Sequence, residues 1–339
     1  MIQDMTEQNI PRKSGKSQIG NISGSHPGIT VVIPAYNRER LICTTLQSLA
    51  DQTRKPDQVI LVDNNSTDDT KSVLERWGSK RNAEGWDVKV IGCDKKGASS
   101  ARQAGLDEVN TEYVLFFDSD DLMPRDHIAN AMKEFEENPK LDMVVWGVRF
   151  SEPGGKSHCR RLLKKDHLQN HLIQGLLSTQ AYAIKSDFIR KAGGWNGNIG
   201  GWDDLELGLR LLLANPEMKL IREPRVEIRV HQDSMTGFDY KHRAGEWETA
   251  LDEMERNLEK SDHPRKIEML RLIDYRRINL AALYRKEGDL MRSKSIRQKV
   301  LNRVGLRHRD KLILNCAYHY TSLGLPAAGG YSSPCFFIK

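Results

Sequence analysis

Three carboxylates stand within four positions, Asp118, Asp120 and Asp121, directly behind the apolar run from Tyr113 to Phe117. Two like charges ~4 Å apart repel by about 4 kcal/mol at an intermediate dielectric. A loop carrying that cost needs a cation or a donor-rich ligand beside it. Two kinds of chemistry suit such carboxylates. One is hydrogen bonding to the hydroxyls of a ribose. The other is binding a hard divalent cation, Mg2+ or Mn2+, which takes oxygen ligands and shares them with substrate phosphates. A cation held there neutralises charge building on a departing diphosphate. Asp-Ser-Asp is common in loops, so its place behind an apolar strand is what raises it.

Elements that can position this loop follow from the pattern around it. From Gly28 to about Val148, short apolar runs alternate with amphipathic stretches. The runs "ITVVIPAY", "QVILVD", "DVKVIG", "EYVLFFD" and "LDMVVWGVRF" read as five strands. Helices are expected between them, one capped by Ser66 or Thr67, one opened by Gly97 and one with Pro124 near its first turn. Strands that are apolar throughout and separated by helices form a parallel sheet covered on both faces. Ligands of such sheets bind outside the carboxyl ends of the strands. Tyr36 and Asn37, Asp63 and Asn64, Lys95 to Gly97, and Asp118 to Asp121 all fall at those ends, so one crevice can gather them.

The alternation is lost between residues 151 and 235. That region holds a basic loop, "CRRLLKKDH", the Gly/Trp-rich "GGWNGNIGGW", a helix "DDLELGLRLLLANP" and a closing strand ending in "RVH". Beyond Ser234 the pattern is helical, with Gly288-Asp289 as a turn. The reading is therefore a polar leader (1–27), an α/β catalytic domain (28–235) and an all-helical, basic C-terminal extension (236–339).

Net charge is +6, yet the segment from His263 to Lys311 has fifteen Lys and Arg against five Asp and Glu, +10 by itself. Such a surface suits an anionic membrane face, an acidic partner or self-association, and equally a solvated helical face. Five scattered cysteines offer neither a disulfide framework nor paired zinc spacing, which fits a reducing cytoplasm. No window has the length and apolarity of a membrane span.

The blocks "VVIPAYNRERLICTTLQSLADQT", "VILVDNNSTDDT", "KKGASSARQAGLDEVNTEYVLFFDSDDLMP" and "GGWDDLELGLRLL" resemble, in order and spacing, those of the family 2 glycosyltransferases, inverting nucleotide-sugar enzymes of the GT-A fold. The likeness covers roughly residues 28–235. It implies a Rossmann-like, mostly parallel sheet flanked by helices. It also implies a UDP-sugar donor, a glycan or lipid-linked acceptor, Mn2+ or Mg2+ as cofactor and no nucleic-acid partner. On this resemblance Pro34, Tyr36 and Asn37 form the uracil side of the donor site, with Asp63 and Asn64 on the base or ribose. Arg102 approaches the phosphates or sugar, Asp118 holds ribose or sugar, and Asp120 binds the cation, with His231 as a further ligand. Asp204 aligns with the general base, beside Asp203 and Trp202 on the acceptor side. The resemblance further suggests work on polysaccharide, capsule or lipid-linked glycans at the inner face of the cell membrane.

Two other classes compete. A sugar-nucleotide nucleotidyltransferase would share the fold but wants a Gly-rich basic loop after the first strand, where "PAYNRER" stands. A catalytically degenerate scaffold acting through its basic helices would not need Asp118, Asp120 and Asp204 together.

Overall fold

The computed structural model describes residues 26–151, 154–160, 166–229 and 244–323. His231, the basic loop at 161–165 and most of the polar leader lie outside these residues.

Strands and helices alternate through the first half: β1 (His26–Ala35), α1 (Ile42–Ala50), β2 (Gln58–Asp63), α2 (Thr70–Ala83), β3 (Val88–Gly92), α3 (Ala98–Asp107), β4 (Thr111–Phe116), α4 (His127–Glu137) and β5 (Met143–Ser151). Then follow β6 (Ser157–Cys159), α5 (His167–Gln174), β7 (Tyr182–Lys185), α6 (Ser186–Lys191), α7 (Asp203–Leu213) and β8 (Met218–Arg229). Four further helices complete the described chain: α8 (Ala244–Lys260), α9 (Lys266–Lys286), α10 (Leu290–Leu301) and α11 (His308–Ser322).

The sheet runs β3-β2-β1-β4-β7-β5, with β6 and β8 also paired to β5. The first four strands are parallel, in a register that sets Ala35 beside Asp63 and Asp63 beside Gly92. The five strands expected from the sequence are all present. However, β4 and β5 are not neighbours, because β7 inserts between them antiparallel to both. At four residues, β7 is too short for its periodicity to reveal a strand.

Both faces are covered, which explains why the strands are apolar throughout. Ile29, Val31 and Ile33 of β1 face α1, α2 and α4 through Leu46, Leu74 and Phe135. Val32, Val114 and Phe116 face the other way, toward Ala101 of α3 and Leu207 and Leu211 of α7. Each such side chain removed from water contributes roughly 1.5–3 kcal/mol.

Local details depart from expectation where loops satisfy each other. Neither Ser66 nor Thr67 caps α2, whose N-cap is Asp69. The Ser66 hydroxyl accepts from the Asn37 N–H at 3.1 Å, and the Thr67 N–H donates to the Asn37 side-chain oxygen at 2.8 Å. Pro124 precedes α4, which starts at His127 with Asp126 as N-cap.

The helices α8–α11 are packed onto the α/β layer. Trp247, Leu251 and Met254 of α8 share a core with Leu172 of α5, Leu205 and Leu209 of α7, and Leu272 of α9. A second small core joins α9, α10 and α11 through Ile278, Ile296, Val300 and Leu314. Part of the basic excess is paired with acids within the fold. Helix α8 carries six acids against two basic residues. Arg277, whose side chain is 3% exposed, pairs with Asp252 at 2.7 Å and Glu255 at 2.5 Å. Arg303 also pairs with Glu255 and with Asp274, and Lys299 with Asp252 at 3.1 Å. Among the described residues, no helix is long and apolar enough to cross a membrane.

One glycine marks a close strand pairing. At Gly147 the β5–β8 register shifts, and a Cβ there would lie 2.5 Å from the Arg222 carbonyl oxygen and 3.0 Å from the Glu223 backbone. Backbone atoms cannot swing aside as a side chain can. Gly147→Ala is expected to lower stability by about 1–3 kcal/mol, the usual cost of overpacking. Gly92→Ala, where a Cβ meets nothing within 4 Å, serves as the control in urea denaturation of the full chain.

Candidate functional site

The parallel register brings the carboxyl ends of β1, β2, β3 and β4 to one edge, and the loops leaving them form the rim of a crevice. Tyr36, just past β1, is 45% exposed and presents its ring at this rim. Pro34 is buried within β1 opposite Val62. Asn37 is held in left-handed backbone, φ 50°, by its contacts with Ser66 and Thr67. Asp63, 5% exposed, lies at the end of β2, where the Ser66 N–H donates to it at 3.4 Å. Asn64 is committed to the next loop. Its amide donates to the carbonyl oxygens of Cys93 and Lys95, and its oxygen accepts from the Gly97 N–H.

The acid loop after β4 is braced from α1. The Thr45 hydroxyl donates to the carbonyl oxygens of Ser119 at 3.0 Å and Asp121 at 2.8 Å. Each of the three carboxylates has a different partner. Asp118 accepts from Arg102 at 2.8 Å, and Asp120 pairs with Arg38 at 3.5 Å. Asp121, 2% exposed, accepts from the Arg229 N–H at 2.8 Å and from the Gln180 amide. It ties the loop after β4 to β8. Burial, reinforced by Asp118 and Asp120, raises its carboxyl to about 7. Burial also raises Asp118, against the pull of Arg102.

Arg102 joins this loop to the second acid pair. From α3 it donates to Asp118 and, at 2.6 Å, to Asp203 at the start of α7. Its guanidinium lies 4.9 Å from the centre of the Trp195 ring, which itself packs edge-on against Phe116. Burial disfavours the charge, but Asp203 and Asp118 outweigh it and hold the group protonated. Asp203 also accepts from the Ser99 hydroxyl at 2.8 Å.

Asp204 enters neither of Asp203's contacts and is half-buried. Burial, with Asp203 beside it, raises its carboxyl to about 6, while Arg102 and Arg160 oppose the rise. A carboxyl raised toward neutral pH is chemically able to take up a proton there.

The Gly-rich loop before α7 is pinned to α3. Ser99 and Ser100 donate to the carbonyl oxygens of Ile199 and Gly197, and Gln103 accepts from the Trp195 N–H. Trp195 is 3% exposed, an anchor under the site and not an open stacking platform. Trp202, expected on the acceptor side, has its ring stacked on Trp247, with Arg276 also over it. Asp203, expected beside it, is tied to Arg102 and Ser99.

Sequence reasoning missed Arg38, Thr45, Ser99, Arg160, Gln180 and Arg229 around these acids. Arg38 stands inside the quoted "PAYNRER" block, but a pairing across 82 positions leaves no local signal. Among the described residues, no three His, Cys, Asp or Glu side chains cluster as a self-sufficient metal site.

Comparison with known proteins gives this geometry a context. The pattern of Glycosyl transferase family 2 matches residues 30–188. The putative glycosyltransferase EpsH of Bacillus subtilis is 26% identical over 128 residues, covering 38% of this chain and 36% of its own. The minor teichoic acid biosynthesis protein GgaB of the same organism is 24% identical over 230 residues, 64% of this chain and 25% of its own. The chain thus spans about a third or less of either relative's length. Among solved structures, S. aureus TarS 1–349 in complex with UDP-GlcNAc superposes with a TM-score of 0.69 at 19% identity, covering 87% of both chains. Over residues 30–188 the chain is thus similar to glycosyl transferase family 2, and its helix-flanked, mostly parallel sheet is the GT-A fold.

Proposed function

We propose that the protein is an inverting glycosyltransferase that moves a hexosyl or N-acetylhexosaminyl unit from a UDP-sugar to an acceptor hydroxyl, with Asp204 as general base. One observation carries this reading. The acid loop after β4 and the acid pair opening α7, some 85 positions apart, are joined through Arg102 into one site that leaves Asp204 outside the clamp. In the reaction, Asp204 takes the proton of the acceptor hydroxyl and the oxygen bonds to the anomeric carbon. The bond from that carbon to the diphosphate oxygen breaks, UDP leaves with the electron pair, and the configuration inverts. On the donor side, the exposed Tyr36 ring offers a stacking surface for uracil, Asp63 a hydrogen-bond acceptor for base or ribose, and Asp118 one for ribose or sugar.

The residues present fit a Mg2+ or Mn2+ that shares its ligands with substrate. Such cations are commonly bound by one or two carboxylates plus substrate phosphates. Asp118 is bound to the buried Arg102 at 2.8 Å, whereas Asp120 faces Arg38 at 3.5 Å, so Asp120 would hold the cation in place of that contact. When bound, the cation stabilises the charge of the departing diphosphate. TarS in complex with UDP-GlcNAc and the teichoic acid protein GgaB support a UDP-sugar donor and a glycan-like acceptor.

Asp204→Asn is expected to lower UDP-sugar turnover by roughly 10²–10⁴-fold, the usual contribution of a general base, and to spare UDP binding by calorimetry. Because the base acts when ionised and its carboxyl is raised to about 6, wild-type turnover should rise with pH through about 6. Equal turnover in variant and wild type would remove Asp204 from this role. The assay is UDP release from UDP-glucose, UDP-galactose, UDP-GlcNAc and UDP-GalNAc.

For the cation, UDP affinity should be higher with Mn2+ than with EDTA in the wild type. Asp120→Asn should bind UDP equally under both conditions. A Mn2+ dependence that survives this substitution would place the ligand elsewhere.

A further inference from the structure

The residue directly before the acid pair is held by the C-terminal helices, a contact the proposed reaction does not itself use. Trp202 adopts φ 57°, ψ 29°, left-handed backbone that a bulky side chain takes up only where its surroundings enforce it. Its ring stacks on Trp247 of α8, centroids 5.0 Å apart and planes 7° from parallel. Arg276 of α9 lies over the same ring at 5.0 Å and donates to the carbonyl oxygens of Leu172 and Ile173 at the end of α5. The two residues before Trp202 are glycines that α8 presses upon. A Cβ at Gly200 would meet the Glu246 carboxyl at 2.6 Å, and one at Gly201 would meet the Trp247 ring at 2.8 Å. The approach to α7 is therefore shaped by the helical extension, while Asp203 is fixed from the other side by Arg102 and Ser99.

We infer that Trp247 and Arg276 are positioning residues for the acid pair: by gripping Trp202 they fix where α7 begins and so where the Asp204 carboxylate stands against the donor site. This rests on the reading of Asp204 as general base. It gives the helical extension work in the reaction, although neither residue touches the reacting atoms. Misplacement of a reacting group by about 1 Å can cost on the order of 10²-fold in rate, so a loosened grip should appear in turnover before it appears in donor binding.

The test compares full-length wild type, Trp247→Phe, Trp247→Leu and Gly201→Ala. Each is assayed for UDP release from the four UDP-sugars above across pH, for UDP affinity by calorimetry and for its thermal transition. Trp247→Leu keeps an apolar side chain but removes the flat face. It should lower kcat by roughly 10-fold or more, leave UDP affinity within about twofold, and displace the acid limb of the pH profile. Trp247→Phe, which can still stack, should recover most of the loss. Should Trp247→Leu not fold, Gly201→Ala decides, since it wedges the same contact and deletes no core side chain. A folded Gly201→Ala or Trp247→Leu with wild-type kcat and pH profile overturns the positioning role. So does a parallel loss of UDP affinity and kcat, which would mark general damage to the site. Wild type without UDP release, by contrast, would overturn the glycosyl-transfer reading, and the positioning role with it.

Discussion

Arg102 is 5% exposed and carries a charge that water no longer solvates. Taking such an ion out of water costs several kcal/mol, and that cost is recovered only where geometry and partners are good. Here the partners are two carboxylates from different parts of the chain, Asp118 behind β4 and Asp203 opening α7, and the face of Trp195 lies alongside. The arrangement is rigid in consequence. Neither β4's loop nor the start of α7 can shift without uncovering a buried charge, so the distance between the two acid clusters is set by one guanidinium. Without it, Asp118 and Asp203 would face each other as like charges in a half-dry crevice.

Crowding of the acids is resolved one carboxylate at a time. Asp118 and Asp203 share Arg102, Asp120 lies beside Arg38, and Asp121 is anchored by Gln180 and the Arg229 backbone with its carboxyl raised to about 7. This distribution matters for Asp204. Burial and Asp203 push its carboxyl up, Arg102 and Arg160 pull it down, and the balance falls at about 6. A stronger counter-charge would leave too weak a base, and deeper burial would keep it protonated at neutral pH.

The central α/β pattern was legible because fully buried strands and surface helices have different periods, and residues 28–148 show both in turn. Candidate site residues from β1, β2 and β4 could be placed at strand ends by topology alone. What could not be read was local or remote. β7, at four residues, is too short to show a period, and its insertion between β4 and β5 is a tertiary choice. Ser66 and Thr67 have cap chemistry, but Asn37 recruits them instead, a partner 29 or 30 positions away. Charge was legible as a total and not as pairings. The +10 segment suited an anionic partner or a solvated helical face alike, and the sequence did not show that Arg277, Arg303 and Lys299 pair with acids on α8 and α9.

The apolar sequence of α7 has a further meaning once both of its neighbours are known. A surface helix needs one apolar stripe, and "DLELGLRLLL" has apolar residues on nearly every side. Leu207 and Leu211, four apart, pack on the sheet side with Phe116 and Ile184. Leu205 and Leu209, also four apart and turned to another face, pack with Trp247, Leu251 and Met254 of α8. At 3.6 residues per turn these two sets cannot share a stripe, so α7 is a shared wall between the α/β layer and the helical extension. The extension therefore completes the burial of the helix whose first turn carries both Asp203 and Asp204. Stability of the C-terminal helices and geometry of the acid pair are consequently coupled through one helix.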